Sequence, residues 1–133
     1  MNTPLLLCID DDQVILECVT WILEKHGYRT LVASSGWVGI RLFMEHTVDL
    51  VIVDHDRPGM DGREVTEELR RLRSEVPIIM SSGSDVPAPA AALVDACIPK
   101  GIEFKILLAA ISSLLPFQHD GQRRSTSMNP TDS

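Results

Sequence analysis

The stretch LLLCIDDD, residues 5–12, sets an apolar run directly against three aspartates. A short, continuous apolar run of this kind reads as a strand covered on both faces, as in parallel sheets. Three like charges at its end repel one another and raise each other's pKa. Such an end needs either water around it or something positive beside it, and the rest of the chain decides which.

Working outward, the same pattern recurs. Asp12 is placed to cap a helix over about 13–26, which carries Ile15, Cys18, Val19 and Ile22 at helical spacing. Gly27 stands where a helix-ending glycine belongs. Tyr28–Ala33 reads as a second strand, and Gly36–His46 as a helix with Val38, Leu42 and Met44 among its apolar positions. Leu50–Val53 is a third strand ending at Asp54, followed by the turn-rich HDRPGMDG. Asp61–Ser74 is a charged amphipathic helix with Val65, Leu69 and Leu72 inward. Pro77–Met80 reads as a fourth strand, DVPAPAAALVDA holds only a short proline-started helix, and Ala96–Ile98 is a brief fifth strand. Ile102–Leu115 forms a last helix with Phe104, Leu107, Leu108 and Ile111 periodic, and the polar, aperiodic tail from about residue 118 is expected to be disordered. Strands alternating with helices imply a doubly wound parallel sheet with right-handed crossovers.

The bulk numbers exclude several classes. A net charge of −7 argues against nonspecific binding to nucleic acid or to an anionic membrane. The basic cluster Arg70, Arg71 and Arg73 lies among acidic residues and reads as a solvated helix face. No apolar run approaches the roughly 20 residues of a membrane span, and the first residues lack the features of a signal peptide. Cys8, Cys18 and Cys97 show no metal-binding spacing, so reduced, mostly buried thiols in a cytoplasm are expected. Trp21 and Trp37 read as packing or interface residues.

In an open α/β sheet, ligands bind beyond the carboxyl ends of the strands. Strand one ends in Asp10 and Asp11, strand three in Asp54, strand four in Ser81 and Ser82, and strand five in Lys100. Each has a plain explanation as a cap, turn or surface residue; their coincidence on one rim does not. Packed carboxylates suit a hard divalent cation, Mg²⁺ before Ca²⁺ in a cytoplasm. A carboxylate beside that metal can attack a phosphoryl group and give an aspartyl phosphate. Lys100 and Ser82 can supply hydrogen bonds to the phosphoryl oxygens.

With these residues in place, the sequence resembles the chemotaxis-regulator-like receiver domain of two-component response regulators over about residues 4–116. The matching stretches are LLLCIDDDQVILECV, VDLVIVDHDRPGMDGREV, VPIIMSSG and IPKG, in order. The resemblance implies a flavodoxin-like sheet of order 2-1-3-4-5, with residues 1–117 as the receiver and 118–133 as the tail. It implies Asp54 as phosphoacceptor, Asp11 as a direct Mg²⁺ ligand, Asp10 acting mainly through water, and the main-chain carbonyl of Asp56 completing the ligands. Ser82 and Lys100 stand at the positions that bond the phosphoryl group. Asp12 reads as a cap rather than a ligand.

The chain also departs from that family. Cys97 replaces an aromatic residue three positions before the lysine, and Gly101 replaces the usual cis proline, so a trans bond is expected there. The stretch from Ser82 to Lys100 is short, so the fourth helix should be short or irregular. An Asp56 side chain facing the site would tune the phosphoryl lifetime, whereas strand alternation turns His55 away from Asp54. The function implied is a stand-alone receiver, not otherwise an enzyme. It would be phosphorylated by a histidine kinase or histidine phosphotransfer protein, and would signal to another protein or pass the group on in a relay. Mg²⁺ would be its cofactor, with no nucleic-acid or membrane partner, as a monomer or weak homodimer in the cytoplasm. The alternatives are a degenerate receiver acting as a phosphorylation-independent interaction module and, on the motif VIVDHD, a haloacid-dehalogenase-like phosphatase. A flavin binder is rejected because an acidic rim repels its phosphate.

Overall fold

A computed structural model describes residues 3–55, 62–83, 85–101 and 104–115. Five strands and five helices alternate: β1 (Leu5–Ile9), α1 (Gln13–Lys25), β2 (Arg29–Ala33), α2 (Gly36–Glu45), β3 (Leu50–Asp54), α3 (Gly62–Leu72), β4 (Ile78–Ser82), α4 (Ala88–Ala91), β5 (Ala96–Pro99) and α5 (Phe104–Leu114). The strands pair in parallel in the order β2-β1-β3-β4-β5. This is the doubly wound, flavodoxin-like sheet that the sequence implies. The two central strands β1 and β3 are buried along their whole length, which is why they read as unbroken apolar runs rather than alternating ones.

The alternation is expressed in three dimensions. Leu7, Ile9, Val51, Val53, Ile78 and Met80 face α2 and α3, where Phe43 and Leu69 are fully buried. Leu6, Cys8, Leu50, Ile52 and Ile79 face α1 and α5, against Leu16, Leu23, Leu107 and Ile111. Asp12 caps α1, its carboxylate accepting from the N–H groups of Val14 and Ile15. Gly27, with φ of 91°, turns the chain beyond the C-cap His26 into β2 in the left-handed conformation that favours glycine.

Some expectations hold and others are corrected. α4 is a single turn of four residues after Pro87, so the short-helix reading holds at its extreme. Two of the three thiols, Cys18 and Cys97, are exposed and only Cys8 is buried. Met44, one of the apolar positions of α2, is 60% exposed, because the buried side of α2 is set by Gly36, Gly39, Ile40 and Phe43. Trp21 and Trp37 are 60% and 69% exposed; the Lys25 ammonium lies over the Trp21 ring, 4.6 Å from its centre. The arginine cluster is not one solvated face. Arg70 binds main-chain carbonyls and Asp95, and Arg73 lies over the Phe43 ring at 4.1 Å. Only Arg71, paired with Glu68, matches the expectation. Asp56, most of the HDRPGMDG loop and the tail lie outside the described residues.

Candidate functional site

The site forms where β1, β3 and β5 end. Beyond β1, the Asp10 N–H donates to the Ala33 carbonyl at 3.0 Å, so the backbone keeps sheet register for one more residue. Asp10 is thereby held 6% exposed, on the same face as Leu6 and Cys8. Its Oδ1 accepts from the Asp12 N–H at 2.9 Å. That short loop turns Asp11 outward to solvent and hands Asp12 to α1 as its cap.

Asp54 is the last residue of β3 and is 2% exposed. It shares the face of Leu50 and Ile52, whereas half-buried His55 follows Val51 and Val53 to the other side, as alternation requires. One carboxylate oxygen from each of Asp10, Asp11 and Asp54 lies within 4.8 Å of the others. The three are thus a compact all-oxygen donor set, which is the chemistry a hard divalent cation takes.

Lys100 reaches the same point from β5. Its N–H donates to the Ser82 carbonyl at 2.8 Å, extending the ladder beyond Pro99. Gly101, with φ of 82°, then turns the chain away. The Lys100–Gly101 bond is trans, as expected. The ammonium lies 3.0 Å from Asp54 Oδ1 and 3.6 Å from Asp10 Oδ2. Burial pushes the Asp10 carboxyl above its ordinary range and the Asp54 charge adds to this, while the Asp12 N–H and Lys100 pull the other way without cancelling it. Burial alone would lower Lys100, but its bond to Asp54 and the charges of Asp10 and Asp54 outweigh burial and raise it. The lysine therefore stays charged and offsets part of the crowding, which answers half of the problem that the aspartate run poses.

The hydroxyls divide by face. Ser81 pairs with Asp54 in the β3–β4 register and lines a cavity of about 430 Å³ together with Asp10, Asp54 and Lys100. Ser82 is buried and lines a second cavity, about 270 Å³, with Val86, Ala91 and Cys97. The sequence reading gave its role to Ser82 and none to Ser81; strand alternation from Ile79 was the signal that would have found the latter. Finally, α3 begins hard against the site. A Cβ on Gly62 would lie 2.7 Å from His55 Cα and 2.9 Å from the Asp54 carbonyl oxygen, so only glycine lets this helix approach so closely.

The comparisons with known proteins agree with this architecture. The model of the response regulator receiver domain matches residues 6–112. The transcriptional regulatory protein AfsQ1 of Streptomyces coelicolor is 33% identical over 127 residues, covering 92% of this chain and 55% of that protein. The sensor histidine kinase GacS of Pseudomonas protegens is 36% identical over 74 residues, covering 56% of this chain and 8% of the kinase. The chain thus spans about half the length of the first relative and a small part of the second. Among solved structures, the response regulator TrrA of Thermotoga maritima, in complex with Mg²⁺-BeF, superposes with a TM-score of 0.81 at 27% identity, over 85% of this chain and all of that one. With the family model spanning most of the sequence and the parallel five-stranded order observed, the chain belongs to the response regulator receiver domain family.

Proposed function

We propose that this chain accepts a phosphoryl group on Asp54 from a phosphohistidine of a histidine kinase or phosphotransfer protein in the cytoplasm, and that a protein partner reads the modified state or takes the group onward. The observation that carries the reading is the convergence of three carboxylates and the Lys100 ammonium at the strand ends. Asp10, Asp11 and Asp54, with the main-chain carbonyl of Asp56, would hold a Mg²⁺. When bound, that ion neutralises charge developing on the transferred group. The Mg²⁺-BeF complex of TrrA, a relative of the same fold, supports this assignment.

The chain's own residues do the rest. An Asp54 carboxylate oxygen attacks phosphorus, the phosphorus–nitrogen bond breaks, and the imidazole leaves with its electron pair and takes up a proton. Lys100 holds Asp54 oriented beforehand and pairs with the phosphoryl oxygens afterwards, in a charge-assisted bond. Ser82, at the end of the adjacent strand and lining the neighbouring cavity here, would turn its hydroxyl toward the acid site to donate to the same group. Burial of Asp54 keeps competing water away from the nucleophile before transfer.

One feature favours a second reading, an interaction module without phosphorylation-driven switching. Cys97 and the one-turn α4 leave an open cavity behind Ser82 rather than a packed side chain. The two readings separate in one experiment: incubation with Mg²⁺ and acetyl phosphate, intact mass, and amide NMR spectra of the product. One added phosphoryl group, lost on chelation and in Asp54→Ala, with spectral change reaching α4 and β5, is the expected result. A phosphorylated protein with changes confined to the acid site would favour the module. No adduct and no Mg²⁺ binding would overturn the phosphoacceptor assignment.

A further inference from the structure

The larger cavity, about 430 Å³, runs between α1 and α5 and opens at one end on Asp10, Asp54 and Lys100. Its volume falls within the range of small-molecule sites, about 300–1,000 Å³. The walls are apolar, with Val14, Ile15 and Val19 from α1 facing Phe104 and Leu107 from α5. Val14 is 67% exposed and Phe104 38%, so this groove presents apolar surface to water at its mouth. The polar end sets two carboxylates against one ammonium. Both carboxylates are buried, so their field is little screened by salt.

An occupant complementary to both ends carries an apolar group and one positive charge. An anionic amphiphile would be driven off by Asp10 and Asp54. A neutral one would gain the apolar contacts but leave the excess of two carboxylates over the one Lys100 ammonium unchanged.

We infer that this cavity binds a monocationic amphiphile, an alkyl or aryl chain bearing a single ammonium, with its head against Asp10 and Asp54 and its tail between α1 and α5. The head would lie where the proposed function puts a divalent cation, so the two exclude one another, and the amphiphile would block phosphoryl acceptance. That regulatory consequence rests on the proposed function; binding in the cavity does not.

Two thiols make the test internal to the molecule. Cys18 is exposed and lines this cavity, whereas Cys97 is exposed and lines the other one. The probe is phenylbutylammonium, with phenylbutanol as neutral counterpart, and iodoacetamide labelling of each cysteine is followed by peptide mass. At ten times its dissociation constant, the probe should slow Cys18 labelling about 11-fold by mass action and leave Cys97 unchanged. The alcohol should protect far less, and saturating Mg²⁺ should restore Cys18 reactivity. Unchanged Cys18 labelling at the solubility limit of the probe would overturn the proposal, as would equal slowing at both thiols or equal protection by the alcohol. Protection of Cys18 that rises with protein concentration alone would also overturn it, by assigning the groove to a second copy. If the ammonium protects Cys18 while Mg²⁺ neither binds nor competes, the cavity proposal stands and the metal assignment falls.

Discussion

Arg70 in the last turn of α3 is the residue whose removal the structure prices most clearly. Its side chain is 23% exposed. Nε donates to the Leu93 carbonyl at 2.8 Å, one Nη to the carbonyls of Ser74 and Val76 at 3.0 and 2.9 Å, and the other Nη to Asp95 Oδ2 at 2.7 Å. That carboxylate oxygen also accepts from the Ile78 N–H at 2.8 Å. One guanidinium thus ties the end of α3 to the start of β4 and to the chain entering β5, where α4 is too short to pin it. Arg70→Met keeps the aliphatic stem and removes every one of these donors. The partly buried bonds to Leu93 and Val76 are worth about 1–1.5 kcal/mol each, and the exposed one to Ser74 about 0.5. The ion pair is partly solvated and adds about 0.5. The expected loss is about 3–4 kcal/mol, or roughly 12–16 °C in Tm for a domain of this size. Arg70→Lys retains the charge but not the planar fork, so it should recover only the Asp95 contact. Urea unfolding of both variants, beside Arg71→Met as the solvated control, measures this. If Arg70→Met cost no more stability than Arg71→Met, the clasp would be a surface decoration and the reasoning wrong.

Gly62→Ala should cost about 2 kcal/mol in urea unfolding, since backbone atoms of Asp54 and His55 occupy the new methyl's position and cannot yield. At Gly39 the nearest atoms to a new methyl belong to the Ile9 side chain rather than to backbone, so Gly39→Ala should cost less. Lys100→Met should slow phosphorylation by acetyl phosphate about 100-fold and tighten Mg²⁺ binding in calorimetry, because the ammonium 3.0 Å from Asp54 no longer competes with the cation; weaker Mg²⁺ binding would contradict this. Iodoacetamide should label Cys18 and Cys97 in the native protein but reach Cys8 only in urea. Cys8 is 3% exposed, and burial with the charge of Asp10 pushes its thiol up to about 12. Native labelling at all three thiols would mean that β1 opens readily.

The strands were legible because each is a short apolar run stopped by a polar residue, and the site was legible because those stops fall on one rim. The facing of the helices was not. On α1, apolar residues cover too wide an arc for periodicity to choose a sector: the expected stripe ran through Ile15, Cys18, Val19 and Ile22, of which Val19 packs on the core, while the fully buried residues are Leu16 and Leu23. Arg70 and Arg71 are neighbours in sequence and indistinguishable by local pattern. What separates them is Asp95, 25 residues further on, which no window of helical spacing reaches. Ser81 and Ser82 differ only in which face of β4 they occupy, a matter of register with β3.

The three aspartates that begin the site act as three separate devices. A strand end offers alternation, then a turn, then a helix N-terminus, and each position imposes its own environment on the same side chain. Asp10 continues the strand's inward face, where burial raises its pKa and Lys100 partly offsets the charge. Asp11 sits on the turn and is exposed, so its charge is dissipated in water. Asp12 meets free N–H donors at the start of α1, where a carboxylate is stabilised rather than strained. Repulsion is thereby confined to Asp10 and Asp54, two buried carboxylates from different strands with a single lysine between them. Positive charge arriving at that point relieves an existing imbalance. The divalent cation and phosphoryl chemistry of the proposed function, and the ammonium head group of the further inference, would all be drawn there for that one electrostatic reason.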